Sequence, residues 1–170
     1  MKIQVSTGSS AIYKTLLTGV GPFTGTGTNV IEGILRPGNS AANVSFGGDV
    51  SLLGTATLEI ELGGLNAGSD YDRLTVAGEM ALDGIADVSL INNFDPALGQ
   101  IFDVVVADSI IDNGINYDFP NLSGGRFFQA GIVHTVSDDR LRFAVVPEPG
   151  SITLVVLGGV VLLRRRRTRE

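Results

Sequence analysis

Cysteine is absent from the chain, which excludes a disulfide framework and a thiol nucleophile without indicating a compartment. Tryptophan is absent too, and histidine occurs once, at His134. Patterns that announce common chemistries are also missing: there is no G-x-S-x-G elbow, no H-E-x-x-H, no phosphate-binding loop, and no Cys/His spacing for zinc. Basic residues are scarce before the tail, with seven Lys and Arg against sixteen Asp and Glu over residues 1–146, a net charge of −9. So acidic a body disfavours nucleic acid as a partner, because that binding is driven by cationic contacts. Long apolar runs are lacking at the start. Within residues 1–27 the apolar stretches are Ala11-Ile12-Tyr13 and Leu16-Leu17, too short for the apolar centre of an export signal. The expectation is an irregular segment over residues 1–29 in a chain truncated at its N-terminus.

What is present is concentrated at the C-terminus. Residues 147–170 fall into three blocks: Pro147-Glu148-Pro149, an apolar run, and a basic cluster. The prolines fix φ and remove backbone donors, so a helix is expected to begin only after them. The run is built from Ile152, Leu154, Val155, Val156, Leu157, Val160, Val161, Leu162 and Leu163, and Arg164, Arg165, Arg166 and Arg167 end it. As a helix, residues 152–163 rise roughly 18 Å, short of a hydrocarbon core of about 30 Å. Snorkelling arginines lengthen the reach, since residues 147–167 make about 30 Å of helix. A single transmembrane helix is therefore expected. The arginines place the C-terminus in the cytoplasm and the body outside, with the protein held in the inner membrane and destined for the cell surface or matrix.

Motif, apolar run and arginine cluster, in that order at the C-terminus, resemble the PEP-CTERM sorting tail found on exported proteins of Gram-negative bacteria. That resemblance implies an exosortase-type membrane protease as partner, with Pro147, Glu148 and Pro149 as the recognised motif. A plain single-pass tail anchor is the alternative.

From Val30 onward the apolar residues alternate. Leu58, Ile60 and Leu62 oppose Thr57, Glu59 and Glu61, giving a strand with one buried and one wet face. Leu74 and Val76, Val88 and Leu90, Phe102, Val104 and Val106, and Leu141, Phe143 and Val145 repeat the pattern, and the body is expected to be all-β. Residues 44–60 also lie over residues 74–90 without a gap, matching Gly48 to Gly78, Leu52 to Leu82, Gly54 to Gly84 and Ala56 to Ala86. Glycine corners at fixed spacing point to a parallel β-helix with a C-terminal cap over residues 30–146, with a β-sandwich of hairpins as the alternative. Gly33, Leu35, Pro37, Gly48-Asp49, the stretch 58–64, Tyr71-Asp72 and Phe102 resemble the C-terminal part of autotransporter-type β-helix proteins. The right-handed solenoid and an elongated surface or matrix role are what that resemblance implies.

Chemistry in the body rests on few residues. His134, between Val133 and Thr135, reads as a strand residue rather than a general base, since no partner motif surrounds it. Glu59 and Glu61 share a face where a glycosidase pair could sit, but solubilising carboxylates are the plainer reading. Asp70 and Asp72, in Gly68-Ser69-Asp70-Tyr71-Asp72, resemble half of a calcium-binding nonapeptide that works only in tandem and occurs once here. The function expected is a non-enzymatic, exported surface or matrix protein that needs no cofactor. Its partners are a membrane and the processing protease, with extracellular polysaccharide as a further candidate. A secreted polysaccharide-active enzyme and a glycan-binding adhesin are the alternatives.

Overall fold

The protein is described by a computed structural model covering residues 3–38 and 41–149. Short strands separated by tight corners follow one another in tiers. The first tier holds β1 (Ile3–Gln4), β2 (Ser10–Tyr13) and β3 (Leu16–Gly19), and the second β4 (Phe23–Thr24), β5 (Thr28–Ile31) and β6 (Ile34–Pro37). The third holds β7 (Asn43–Phe46), β8 (Val50–Leu52) and β9 (Thr57–Leu62). The fourth merges its first two strands into β10 (Arg73–Leu82), followed by β11 (Ile85–Leu90). The fifth is β12 (Ile101–Asp112) and β13 (Asn116–Asp118), and β14 (Arg126–His134) and β15 (Asp139–Pro147) close the chain. Residues 1–29, expected to be irregular, instead carry β1 to β4 and the start of β5.

Strands of successive tiers pair in parallel. β3, β6, β9, β11 and β13 form a five-stranded sheet, and the larger, ten-stranded sheet runs β1-β4-β7-β10-β12-β15-β14 with β2, β5 and β8 joining at β10. Alternation explains the pairing of faces: in β9 Leu58, Ile60 and Leu62 are fully buried, while Thr57, Glu59 and Glu61 point outward. The core also takes Leu35, Leu52, Leu74, Met80 and Leu82. Val44 pairs with Leu74 and Ser51 with Ala81, the 30-residue offset of the sequence repeat. Past the Gly84 corner the offset falls to 28, with Thr57 opposite Ile85.

One corner is a column of close backbones. A Cβ on Gly48 would meet the Gly27 carbonyl oxygen at 2.2 Å, so only glycine lets the second and third tiers approach there. At the end of the stack Phe102, Phe119, Phe128 and Phe143 make a ring cluster, with Phe119 5.0 Å from Phe143 and 5.3 Å from Phe128. Phe23 and Phe46 stack at 4.5 Å between earlier tiers.

The all-β expectation holds. The expectation of a right-handed parallel β-helix body followed by a transmembrane helix is corrected. The ten-stranded sheet is of mixed direction, because the chain reverses at Ser137-Asp138 and β15 enters antiparallel between β12 and β14, while the five-stranded sheet is parallel throughout. Among the described residues no helix is long and apolar enough to cross a membrane, and the expected helix at 152–163 lies outside them. The inner-membrane location with a cytoplasmic C-terminus is corrected with it, since no described helix is long and apolar enough to cross a membrane.

Candidate functional site at the C-terminal strand end

The Pro147-Glu148-Pro149 tripeptide begins inside the fold. Pro147 is the last residue of β15 and stands opposite Arg126, the first of β14. The Glu148 N–H donates to the Gly125 carbonyl at 2.8 Å, while the Glu148 and Pro149 side chains are exposed. Proline lacks a donor, so the strand's end is held by its neighbours rather than by Pro147 itself. Val145 supplies part of that hold: its N–H donates to the Gln100 carbonyl and its own carbonyl accepts from Gly99, both at 2.9 Å.

Arg126 anchors the other side. Its Nη2 donates to both Asp95 carboxylate oxygens at 2.8 and 2.9 Å, Nη1 to the Pro96 carbonyl at 2.6 Å, and Nε to the Ser123 carbonyl at 2.7 Å. This fork ties two loops to the strand on which the motif rests, and its bonds hold the Asp95 carboxyl below the usual range. No sequence pattern announces it, because Asp95 and Arg126 lie 31 residues apart in the chain. Arg164, Arg165, Arg166 and Arg167, like the apolar run before them, lie outside the described residues.

The remaining candidates separate. Glu59 and Glu61 do share an outer face, in a groove of about 510 Å³ lined also by Thr18, Arg36, Asp87 and Ser89. Asp87 stands opposite Glu59 and Ser89 opposite Glu61 in the sheet register, and Arg36 pairs with Glu59. No aromatic ring lines this groove. Asp70 and Asp72 face different surroundings. Asp70 accepts from the Asn66 N–H and side-chain amide at 3.1 and 2.6 Å, and these bonds lower its pKa. Asp72 is fully buried, accepting from Ala42 N–H at 2.7 Å and Glu61 N–H at 2.9 Å, and burial pushes it up to about 6. Among the described residues no group of three or more His, Cys, Asp or Glu is placed to hold a metal ion. His134 is exposed, with Nδ1 2.7 Å from Asp139, whose other oxygen accepts from Ile110 N–H at 2.9 Å.

Set against known protein families and curated proteins, the chain matches none.

Proposed function

We propose that this chain is a non-enzymatic surface or matrix protein whose C-terminal signal, Pro147-Glu148-Pro149, delivers it to an exosortase-type processing protease. The observation that carries this reading is the placement of the motif. It starts on the final residue of a hydrogen-bonded strand, and its Glu148 and Pro149 side chains are exposed at that strand's end. The order of motif, apolar residues and Arg164 to Arg167 in the sequence supports it further. In a host that carries such a protease, Pro147→Ala combined with Glu148→Ala is expected to abolish shortening of the chain, read by intact mass. Shortening that proceeds as before would reject the reading.

A second reading is favoured by the groove. Carboxylates, a guanidinium and hydroxyls line an open channel of glycan-binding chemistry, so the body would act as an adhesin or, with turnover, as a polysaccharide-active enzyme. Binding on a glycan array that Glu61→Gln weakens would support it. Turnover lost in Glu59→Gln would mark an enzyme.

A further inference from the structure

Arginine pairing in the body has one exception. Arg36 holds Glu59, Arg126 holds Asp95, Arg142 holds Asp103, and Arg140 holds both Asp103 and Asp138. Arg73 has no carboxylate partner among the described residues, although carboxylates outnumber basic residues sixteen to seven over residues 1–146. Its Nε is buried with no hydrogen-bond partner among the described residues, so a full charge is drawn partly out of water without a counter-ion. That arrangement costs stability and favours any anion that can reach the rest of the guanidinium.

The strand register gathers further donors at the same place. Arg73 stands opposite Asn43 of β7, and Leu74 beside it faces Val105, which brings Arg73 near Asp103 and its cross-strand partner Arg142. Burial raises the Tyr71 pKa; Arg73 and Arg142 act against it and Asp103 with it, so these three charges surround one phenol. Asp103 occupies Nε and Nη2 of Arg142 and leaves Nη1 without an acceptor among the described residues. Thr75 Oγ1 donates to Asn43 Oδ1 at 3.2 Å, which leaves the Asn43 amide N–H groups to donate elsewhere. Arg73, Arg140 and Arg142 against Asp103 and Asp138 sum to one positive charge, a match for a carboxylate and not for a dianionic phosphate. Neighbouring shape selects what carries the carboxylate. Thr75 and Ala77 follow Arg73 on the outer face of β10 and line a groove of about 400 Å³ with Thr24, Ser45 and Gly47. β7 and β10 are paired on both sides, so a peptide cannot add there as a strand. A sugar ring fits better, with hydroxyls for Thr24 and Ser45, an apolar C–H face for Ala77, and an acid group at Arg73.

We propose that Arg73, Asn43 and Arg142 form a binding site for the carboxylate of a uronic acid sugar. The site lies on the other sheet from the Glu59–Glu61 groove and is independent of the Pro147-Glu148-Pro149 reading. In the full chain, sodium glucuronate at constant ionic strength is expected to shift the Arg73 Nε–H resonance and saturate below about 50 mM, while glucose leaves it in place. Read from the Thr75 amide resonance, Arg73→Gln is expected to weaken binding at least about tenfold, and Arg73→Lys about fivefold because the charge stays and the planar fork is lost. Lys14→Gln is the control and is expected to leave the affinity unchanged. Should Arg73→Gln fail to fold, Arg73→Lys decides. The absence of a saturable shift, or an unchanged affinity in Arg73→Lys, overturns the proposal. So does acetate binding as tightly as glucuronate, which would leave the groove without a part, or inorganic phosphate or an acidic tetrapeptide binding more tightly.

Discussion

Two residues decide how closely the tiers can stack. A Cβ on Gly48 collides with backbone, which cannot swing aside as a side chain can, so Gly48→Ala is expected to cost about 2–3 kcal/mol in urea unfolding. Gly131→Ala, with open space at its Cβ, is the control and is expected to change stability by less than about 0.5 kcal/mol. Asp72 works by charge. Its folded pKa of about 6 lies above the ordinary 3.8, so the protonated form is the one the fold favours. Its contribution is therefore complete below about pH 4 and is lost as pH rises through 6, on the order of 3 kcal/mol. Unfolding midpoints between pH 4 and 7.5 measure this. Asp72→Asn should flatten that window and cost about 1–3 kcal/mol, since an amide cannot accept from both Ala42 and Glu61 N–H groups without opposing two donors. The sequence signals for these residues were unequal. The Gly48/Gly78 match showed the corner, whereas the Asp72 carboxylate looked like a cation ligand because its partners, Ala42 and Glu61 N–H, leave no side-chain pattern. Alternation likewise puts Val106 inside, but a bulge buries Val104 and Val105 together and turns Val106 outward.

Among elements, the closing hairpin is fixed to β12 by charge as well as by strand pairing. Asp103 accepts from Arg142 Nε at 2.6 Å and from Arg140 Nη1 at 3.1 Å. Burial acts to raise the Asp103 pKa, but these two guanidinium groups outweigh it and leave the carboxyl lowered. Asp103→Ala strands Arg142 and is expected to cost about 1–3 kcal/mol, less than a fully buried pair because both partners touch water. At the motif, Arg126→Ala is expected to speed hydrogen exchange at the Glu148 N–H while exchange in β9 stays unchanged. The hairpin itself was legible in the sequence: two apolar runs flank Ser137-Asp138, a turn-forming pair. The early tiers were not, because partners there are nearer in sequence, Ile12 opposite Val30 and Val30 opposite Ser51, against 30 residues later on. A fixed-period search therefore finds only one repeat, and the short strands of residues 3–24 pass for loop.

The whole molecule is electrically lopsided, with its carboxylates gathered beyond residue 41. Screening that self-repulsion should raise the melting temperature between about 20 and 300 mM NaCl, and a flat response would show the charges are already balanced in place. All-β architecture was readable from alternation alone. Mixed sheet direction was not, because period-two patterning is the same whichever way a strand runs. β15 lies between β12 and β14 and runs without slack into Glu148. Traction applied at Pro149 along the strand therefore loads two ladders at once in shear, instead of unzipping one bond after another, so a machine hauling this polypeptide by its end meets its greatest mechanical resistance at the first strand it grips.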